Sequence, residues 1–219
     1  MQSETGGLTP TAFRTLAGSA QIEIIIKKSR FIGYASPVQD EEAALSFLRS
    51  IKEEHPLATH HCHAYVLGTN GAANRFSDDG EPSGTAGKPI LEVLVKQELT
   101  NVCVVVVRYF GGTLLGRGGL VRAYTNACVK AVEEAGIATE EPSVRLLAHI
   151  PYPLWDRVQF AMKSLPVQVG EAIYTEQVAC DILVRLSDQE MVSTALSDAT
   201  EGRIELTVSE RLYWQWPAD

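Results

Sequence analysis

The sequence has few cysteines, no long apolar run and no long basic run or basic tail, and each absence argues against a class of protein. Its four cysteines form no Cys-x-x-Cys pair, which argues against a disulfide framework and favours a reducing compartment. No stretch approaches the ~18 consecutive apolar residues of a membrane-spanning helix. The net charge of −8 and the lack of a basic run argue against strong non-specific nucleic-acid binding. The sequence therefore predicts a cytoplasmic protein that contacts no membrane and shows no DNA-specific binding.

A glycine-rich segment in the middle of the chain, residues 101–120, is the most distinctive part of the sequence. It opens with six small or β-branched apolar residues, 102–107, which predict a strand buried on both faces. Arg108, Tyr109 and Phe110 follow, and glycines crowd the next stretch before a helical pattern begins. A central strand is therefore expected to deliver these three side chains to a sheet edge of the kind where ligands bind.

The glycines of residues 111–119 have two interpretations. Backbone N–H groups there could approach an anion, with Arg117 and Arg122 nearby and the start of a helix adding partial positive charge. The segment fits neither the phosphate loop that ends in Gly-Lys-Ser/Thr nor the Gly-x-Gly-x-x-Gly loop of dinucleotide-binding domains. Tight turns and close backbone packing also explain the glycines, and this second interpretation is the favoured one.

The N-terminal half predicts an α+β domain over residues 21–138, preceded by an extension at residues 1–20. Hydrophobic periodicity, with Asp40 as a helix cap, predicts most of its elements. These are strands 21–27, 30–36, 61–67 and 102–107, and helices from Asp40 to before Pro56, 88–98 and 118–135. Residues 69–89 show no periodicity and are expected to form a long loop, of the kind that is either functional or disordered.

The C-terminal half, residues 143–219, alternates between strand and helix patterns. A linker is expected at residues 139–143, where two glutamates precede a proline. Beyond it, the predicted elements are strands 144–150, 167–174, 178–186 and 203–213, and helices 153–165 and 188–199. The resulting order, β-α-β-β-α-β, is that of a ferredoxin-like domain.

Two groups of polar residues could carry chemistry. His61 and His63 alternate along a predicted strand, so both side chains face one side, where a loop carboxylate could complete a metal site. Hydrogen-bonded histidines at a strand end are the favoured alternative, so no metal is predicted. Asp78, Asp79 and Glu81 stand in the loop, where acids can serve as acid–base groups. Because adjacent acids rarely face one point, a binding loop is favoured over a catalytic one.

Three motifs together resemble the signature of the IMPACT family. They are Gly87-x2-Ile90-Leu91-x2-Leu94, then Val105-Val106-x-Arg108-Tyr109-Phe110-Gly111-Gly112-x2-Leu115-Gly116, and Phe-Ser-Asp-Asp-Gly-Glu-Pro at residues 76–82. The likeness covers nearly the full length, in the two-domain form of the bacterial members. It implies a ribosomal protein S5 domain 2-like N-terminal domain and a ferredoxin-like C-terminal domain, similar to elongation factor G domains IV and V.

The resemblance also implies a role linked to translation and a set of binding residues on one face of the N-terminal sheet. That set is His61, His63, Arg75, Asp78, Asp79, Glu81, Thr85, Arg108, Tyr109, Gly111, Gly112, Arg117 and Arg122. The prediction is a non-enzymatic regulatory protein, without a cofactor, that contacts RNA, the ribosome or a translation-related protein through the face of Arg108 and Arg117. Two alternatives stay open. One is an enzyme that binds a small anionic substrate at residues 111–119 and uses the loop acids, and the other is a protein–protein scaffold.

Overall fold

The computed structural model describes residues 11–216, and their contacts divide the chain into two compact units. One unit spans Phe13–Thr139 and the other starts at residue 140, so the division falls inside a strand. Residues 1–10 of the predicted N-terminal extension lie outside the described residues. None of the helices within the described part of the chain is long and apolar enough to cross a membrane.

The first unit mixes strands with three helices. In chain order its elements are β1 (Phe13–Leu16), β2 (Ala20–Ile26), β3 (Ser29–Pro37), α1 (Glu41–Glu54), β4 (His60–Leu67), β5 (Ala73–Ser77), α2 (Gly87–Lys96), β6 (Val102–Tyr109) and α3 (Arg117–Ala135). Asp40 caps α1, since its Oδ1 accepts the Ala43 N–H at 2.7 Å. β1 lies within the segment expected to be an extension, and its Arg14 carbonyl accepts the Thr100 N–H at 2.9 Å.

β5 corrects the expectation of one long loop at residues 69–89. It pairs antiparallel with β4 at the edge of the sheet. Its side chains are almost all exposed, so they need no apolar alternation, and hydrophobic periodicity does not reveal the strand. The loop proper is therefore shorter and runs from the end of β5 to the start of α2.

β6 is the middle strand of a five-stranded antiparallel sheet with the order β2-β3-β6-β4-β5. Val102, Val104 and Val106 pack in the core that α2 and α3 cover, whereas Cys103 and Val105 pack in the core on the α1 side. The prediction of a strand buried on both faces is confirmed. The end of β6 brings the polar residues that follow to the site described below.

The second unit contains the predicted alternation of strands and helices. Its elements are β7 (Ile137–Ile150, whose first residues belong to the first unit), α4 (Trp155–Met162), β8 (Val167–Val169), β9 (Ile173–Tyr174), β10 (Val178–Arg185), α5 (Gln189–Ala199) and β11 (Glu205–Gln215). They pair antiparallel in the order β11-β7-β10-β8, with β9 also on β10. This is the ferredoxin-like arrangement, and the predicted α+β fold class is confirmed.

Two predicted boundaries in this half are wrong. The linker expected at residues 139–143 lies inside β7, where Pro142 is in register with Tyr213 of β11. The strand expected at 167–174 is split into β8 and β9. β8 ends at Val169, and Gly170 directly after it still donates its N–H to the Asp181 carbonyl at 2.8 Å.

Candidate functional site

A buried ion pair joins the end of β6 to the loop before α2. Arg108 is 5% exposed, and its Nη1 donates to Glu81 Oε1 at 2.6 Å, with Glu81 itself 8% exposed. The hydroxyl of Tyr124, on α3, donates to the same oxygen at 2.7 Å. Burial raises the pKa of Tyr124, so the hydroxyl stays protonated and remains a donor. We call Arg108, Glu81 and Tyr124 the buried ion-pair cluster.

Aromatic rings enclose the Arg108 guanidinium. Its Cζ lies 5.3 Å from the ring centroid of Phe31 and 5.5 Å from that of Phe110, distances at which cation–π attraction operates. Nη2 lies 3.4 Å from Ser29 Oγ, and Nε has no hydrogen-bond partner within the described residues. Arg108 is therefore not the exposed contact that the sequence predicts. It supports the Phe110 ring and neutralises Glu81 from inside the protein.

Asp78 and Thr85 hold the loop before α2 in shape. The Asp78 carboxylate accepts backbone N–H groups from Gly84, Ala86 and Gly87 at distances of 2.8, 3.0 and 2.9 Å. The buried Thr85 hydroxyl donates to the Pro82 carbonyl at 2.6 Å. Because three donors already occupy the Asp78 oxygens, the geometry gives this carboxylate a structural task rather than that of a free acid–base group.

Part of the predicted set lies on the opposite face of the sheet, beside α1. The Asp79 carboxylate accepts the His61 backbone N–H at 2.7 Å. The His63 ring donates from Nδ1 to the His61 carbonyl at 3.3 Å, and Tyr109 contacts His55 Nδ1 through its hydroxyl at 2.9 Å. Burial lowers the pKa of both His61 and His63. No three His, Cys, Asp or Glu side chains within residues 11–216 are arranged to hold a metal ion.

The expectation that all the predicted residues share one face is thus wrong. Side chains alternate along a strand, so Arg108 and Tyr109 point to opposite sides of β6. The same alternation separates His61 from His60, which lies in register with Arg108 on the α3 side. His60 was not predicted as a site residue. Side chains alternate along a strand, so a strand that includes His60 places it on the face opposite to His61, and this alternation could have identified it.

A cleft of about 450 Å³ lies above the buried ion-pair cluster, at the start of α3. Arg117 is exposed at its rim and donates Nη2 to the Ser83 carbonyl at 2.8 Å. Phe110 and Leu114 contribute exposed apolar surface, with 48% and 83% of their area accessible. The lining residues are Thr59, His60, Gly80, Glu81, Pro82, Arg108, Phe110, Leu114, Leu115, Gly116, Arg117 and Leu120. We call this the Arg117 cleft.

His60 is fixed at the wall of this cleft. Its Nδ1 donates to the Asp79 carbonyl at 2.7 Å, and its Nε2 lies 3.9 Å from Glu81 Oε1. Leu114 and Tyr124 were also missed as contributors, because an exposed leucine in a loop and a tyrosine inside a helix carry no distinctive pattern. The buried ion-pair cluster is visible only once the fold brings residues 81, 108 and 124 together.

The predicted glycines have structural explanations. A Cβ on Gly111 would collide with the Lys28 backbone, and the Gly111 N–H donates to Ser29 Oγ at 3.1 Å. Gly112 has a φ of +79°, which favours glycine. Of the remaining predicted cations, Arg75 is exposed on the edge strand β5 and Arg122 is exposed on α3.

Two family models match the chain. The Impact N-terminal domain matches residues 27–132, and a domain of unknown function (DUF1949) matches residues 149–203. A solved structure described as the crystal structure of a hypothetical protein is similar with a TM-score of 0.60 at 32% sequence identity. That similarity covers 91% of this chain and 98% of the other.

Curated relatives agree with these matches over most of the chain. IMPACT family member YvyE of Bacillus subtilis is 35% identical, over 92% of this chain and 93% of the relative. IMPACT family member YigZ of Escherichia coli is 34% identical, over 84% of this chain and 92% of the relative. The chain, as its three motifs predict, belongs to the IMPACT family.

Proposed function

We propose that this protein acts in translation as a non-enzymatic RNA-binding protein that holds a single-stranded segment in the Arg117 cleft. One observation carries the proposal: an exposed cation, Arg117, and an exposed aromatic ring, Phe110, line the same cleft. Proteins that bind single-stranded nucleic acid combine positive charge for the phosphates with aromatic rings on which bases stack. The family resemblance supplies the link to translation.

The start of α3 adds to the attraction for a phosphate group. The backbone N–H groups of residues 117–119 precede the first helical hydrogen bond, which the Leu120 N–H makes to the Gly116 carbonyl at 3.0 Å. No side chain caps this end of the helix. Free N–H groups at a helix start carry partial positive charge and bind anions. The Arg117 guanidinium, held over the cleft by its bond to Ser83, would bind the same phosphate.

The buried ion-pair cluster supports this function indirectly. Glu81 lines the cleft, and an unpaired carboxylate there would repel a phosphate. Arg108 neutralises it at 2.6 Å and also lies under the Phe110 ring. The cleft therefore combines a neutralised inner wall with a cationic rim, although the protein as a whole carries a net charge of −8.

The geometry favours binding over catalysis. Asp78 is saturated by backbone donors, Asp79 lies on the α1 side, and Glu81 is committed to Arg108 and Tyr124. The acids that an enzyme would need as bases are thus engaged in structural contacts.

Fluorescence anisotropy with a labelled single-stranded RNA of about 12 nucleotides tests the proposal, since sites for single-stranded nucleic acid span ~4–16 nucleotides. We expect Arg117→Ala and Phe110→Ala each to weaken binding about tenfold, in line with stacking and charge-assisted contacts worth ~1–3 kcal/mol. Arg49→Ala is the matched control, because Arg49 is exposed on α1 at the other face of the sheet. Equal losses in all three variants, or no binding by the wild type, would reject the proposal.

A further inference from the structure

We infer that a second cleft, between the Lys27–Lys28 turn and α3, binds another phosphate of the same RNA strand. This inference rests on the proposed function and extends it from one cleft to a path across the start of α3. The second cleft has a volume of about 430 Å³, and Lys27, Arg122 and Asn126 contribute its polar lining. We call it the Arg122 cleft.

The turn that forms one wall of this cleft has an unusual sequence. Ile26 pairs with Ser29, so Lys27 and Lys28 form a two-residue hairpin loop. Both have positive φ, at 46° and 68°, as a type I′ turn requires. Asn-Gly is the usual choice there, because the Cβ of most other residues clashes with the backbone in this region and costs about 1–2 kcal/mol per residue. Two lysines at such positions point to a need for positive charge rather than for turn stability.

The Lys27–Lys28 turn contacts residues that support the Arg117 cleft. Gly111 lies so close to the Lys28 backbone that no larger residue fits without a shift. Ser29, the next residue, accepts the Gly111 N–H at 3.1 Å and lies 3.4 Å from Arg108 Nη2. The position of the two lysines is therefore coupled to the buried ion-pair cluster behind the Arg117 cleft.

The charges in the Arg122 cleft are free to attract an anion. No Asp or Glu is among its lining residues, and neither Lys27 nor Arg122 makes a salt bridge within the described part of the chain. The acid on β2, Glu23, is engaged by Arg30 through two hydrogen bonds of 2.9 and 3.0 Å. The charged side chains that line this cleft, Lys27 and Arg122, are therefore both positive and unpaired within the described residues.

The two clefts are neighbours on the same helix. Leu115 lines both of them. Arg117 and Arg122 are five residues apart on α3, which places them about 140° apart around the helix axis and ~7.5 Å apart along it. Each arginine thus serves a different cleft, and a strand that crosses Leu115 would contact both. The Asn126 amide, which can donate and accept hydrogen bonds, lies where it could contact a base edge.

The test compares a long RNA and a mononucleotide in a salt series. With single-stranded RNA of about 12 nucleotides, each lost phosphate contact lowers the slope of log K against log salt by ~0.7. We expect Arg122→Ala to lower this slope by about that amount. For a mononucleotide, whose single phosphate cannot span both clefts, we expect Arg122→Ala to lower the slope by less than it does for the long RNA. Lys130→Ala is the matched control, since Lys130 is exposed further along α3.

A variant of the Lys27–Lys28 turn distinguishes an effect on RNA binding from an effect on fold stability. Lys27→Asn/Lys28→Gly installs the residues that a type I′ turn prefers, so we expect the fold to become more stable while binding of the long RNA weakens. Wild-type binding with an unchanged slope in both the Arg122 and the turn variants would overturn the inference and leave the proposed function standing. No RNA binding by the wild type would reject both. Stabilisation by inorganic phosphate that Arg122→Ala abolishes, with RNA binding unaffected, would instead assign the cleft to a free anion and overturn the RNA path.

Discussion

The carboxylate of Glu81 lies 2.6 Å from the guanidinium of Arg108, and both side chains are buried. This ion pair connects three parts of the first unit: the loop before α2, the end of β6 and, through Tyr124, helix α3. The pair forms the floor of the Arg117 cleft. We therefore expect the loss of this ion pair to lower the free energy of unfolding, and any effect on binding to follow from that loss of stability.

Loss of the Glu81 carboxylate should destabilise the protein strongly. Glu81→Ala leaves Arg108 as a buried charge without its partner, and such changes cost about 3–5 kcal/mol. Tyr124→Phe removes one hydrogen bond to the carboxylate and should cost less, about 1–3 kcal/mol. Urea denaturation gives the free energy of unfolding of each variant.

Glu92→Ala is the control for these two variants. Glu92 forms an exposed pair with Lys88 on α2, with the two charged atoms 3.9 Å apart. Exposed pairs of this kind contribute about 0.5 kcal/mol or less. If Glu81→Ala were no more destabilising than Glu92→Ala, the structural role assigned to the buried ion-pair cluster would be wrong.

Gly111→Ala should destabilise the first unit, because its methyl group would collide with the Lys28 backbone. Relief requires a shift of the turn or of the loop that follows β6, and overpacking of this kind costs about 1–3 kcal/mol. Gly118→Ala should be neutral or stabilising by up to about 1 kcal/mol, since glycine disfavours helix. Its Cβ would meet only Arg122 Nη1, at 3.9 Å. Thermal unfolding of both variants checks the contrast, and a similar loss in each would contradict it.

The free energy of unfolding should fall as the pH drops below about 6.5. Burial lowers the pKa of His63 and of His61 from 6.5 in the folded protein, so the unfolded chain takes up protons that the folded chain does not. The loss begins near pH 6.5 and is complete below the folded-state pKa of these rings. Urea titrations between pH 7.5 and 5.5 should show a smaller pH slope for His61→Gln/His63→Gln than for the wild type. Equal slopes would show that His61 and His63 do not cause the pH dependence of the free energy of unfolding.

Much of the fold follows from the sequence, because burial imposes the patterns that periodicity detects. Val102–Val107 is apolar throughout since both faces of β6 are covered, and the C-terminal strand–helix order gives the ferredoxin-like topology. β5 escaped detection because an exposed edge strand needs no apolar residues. The linker prediction failed because Glu140, Glu141 and Pro142 resemble a loop, yet they pair with β11.

Less of the candidate site could be predicted from the sequence. A motif identifies residues but does not give the direction of their side chains. The sequence prediction therefore assigned Arg108 and Tyr109 to one binding face, although they face opposite sides of β6. The burial of Arg108 depends on Glu81 and Tyr124, which are 27 and 16 positions away, and such a contact requires the folded structure. Arg117 begins a helix and is exposed, so it remains available for the binding role that the sequence predicts, and that role stays a prediction.

Co-sedimentation with ribosomes across a salt series tests the central claim most directly. We expect wild-type protein to pellet with ribosomes at low salt and to be released as salt rises, because phosphate contacts are displaced by counterions. Arg117→Ala, which leaves the buried ion-pair cluster intact, should be released at lower salt, and Arg49→Ala should behave as the wild type. Ribosome binding that Arg117→Ala leaves unchanged, or no binding by the wild type at any salt concentration, would contradict a translation-linked role for the Arg117 cleft.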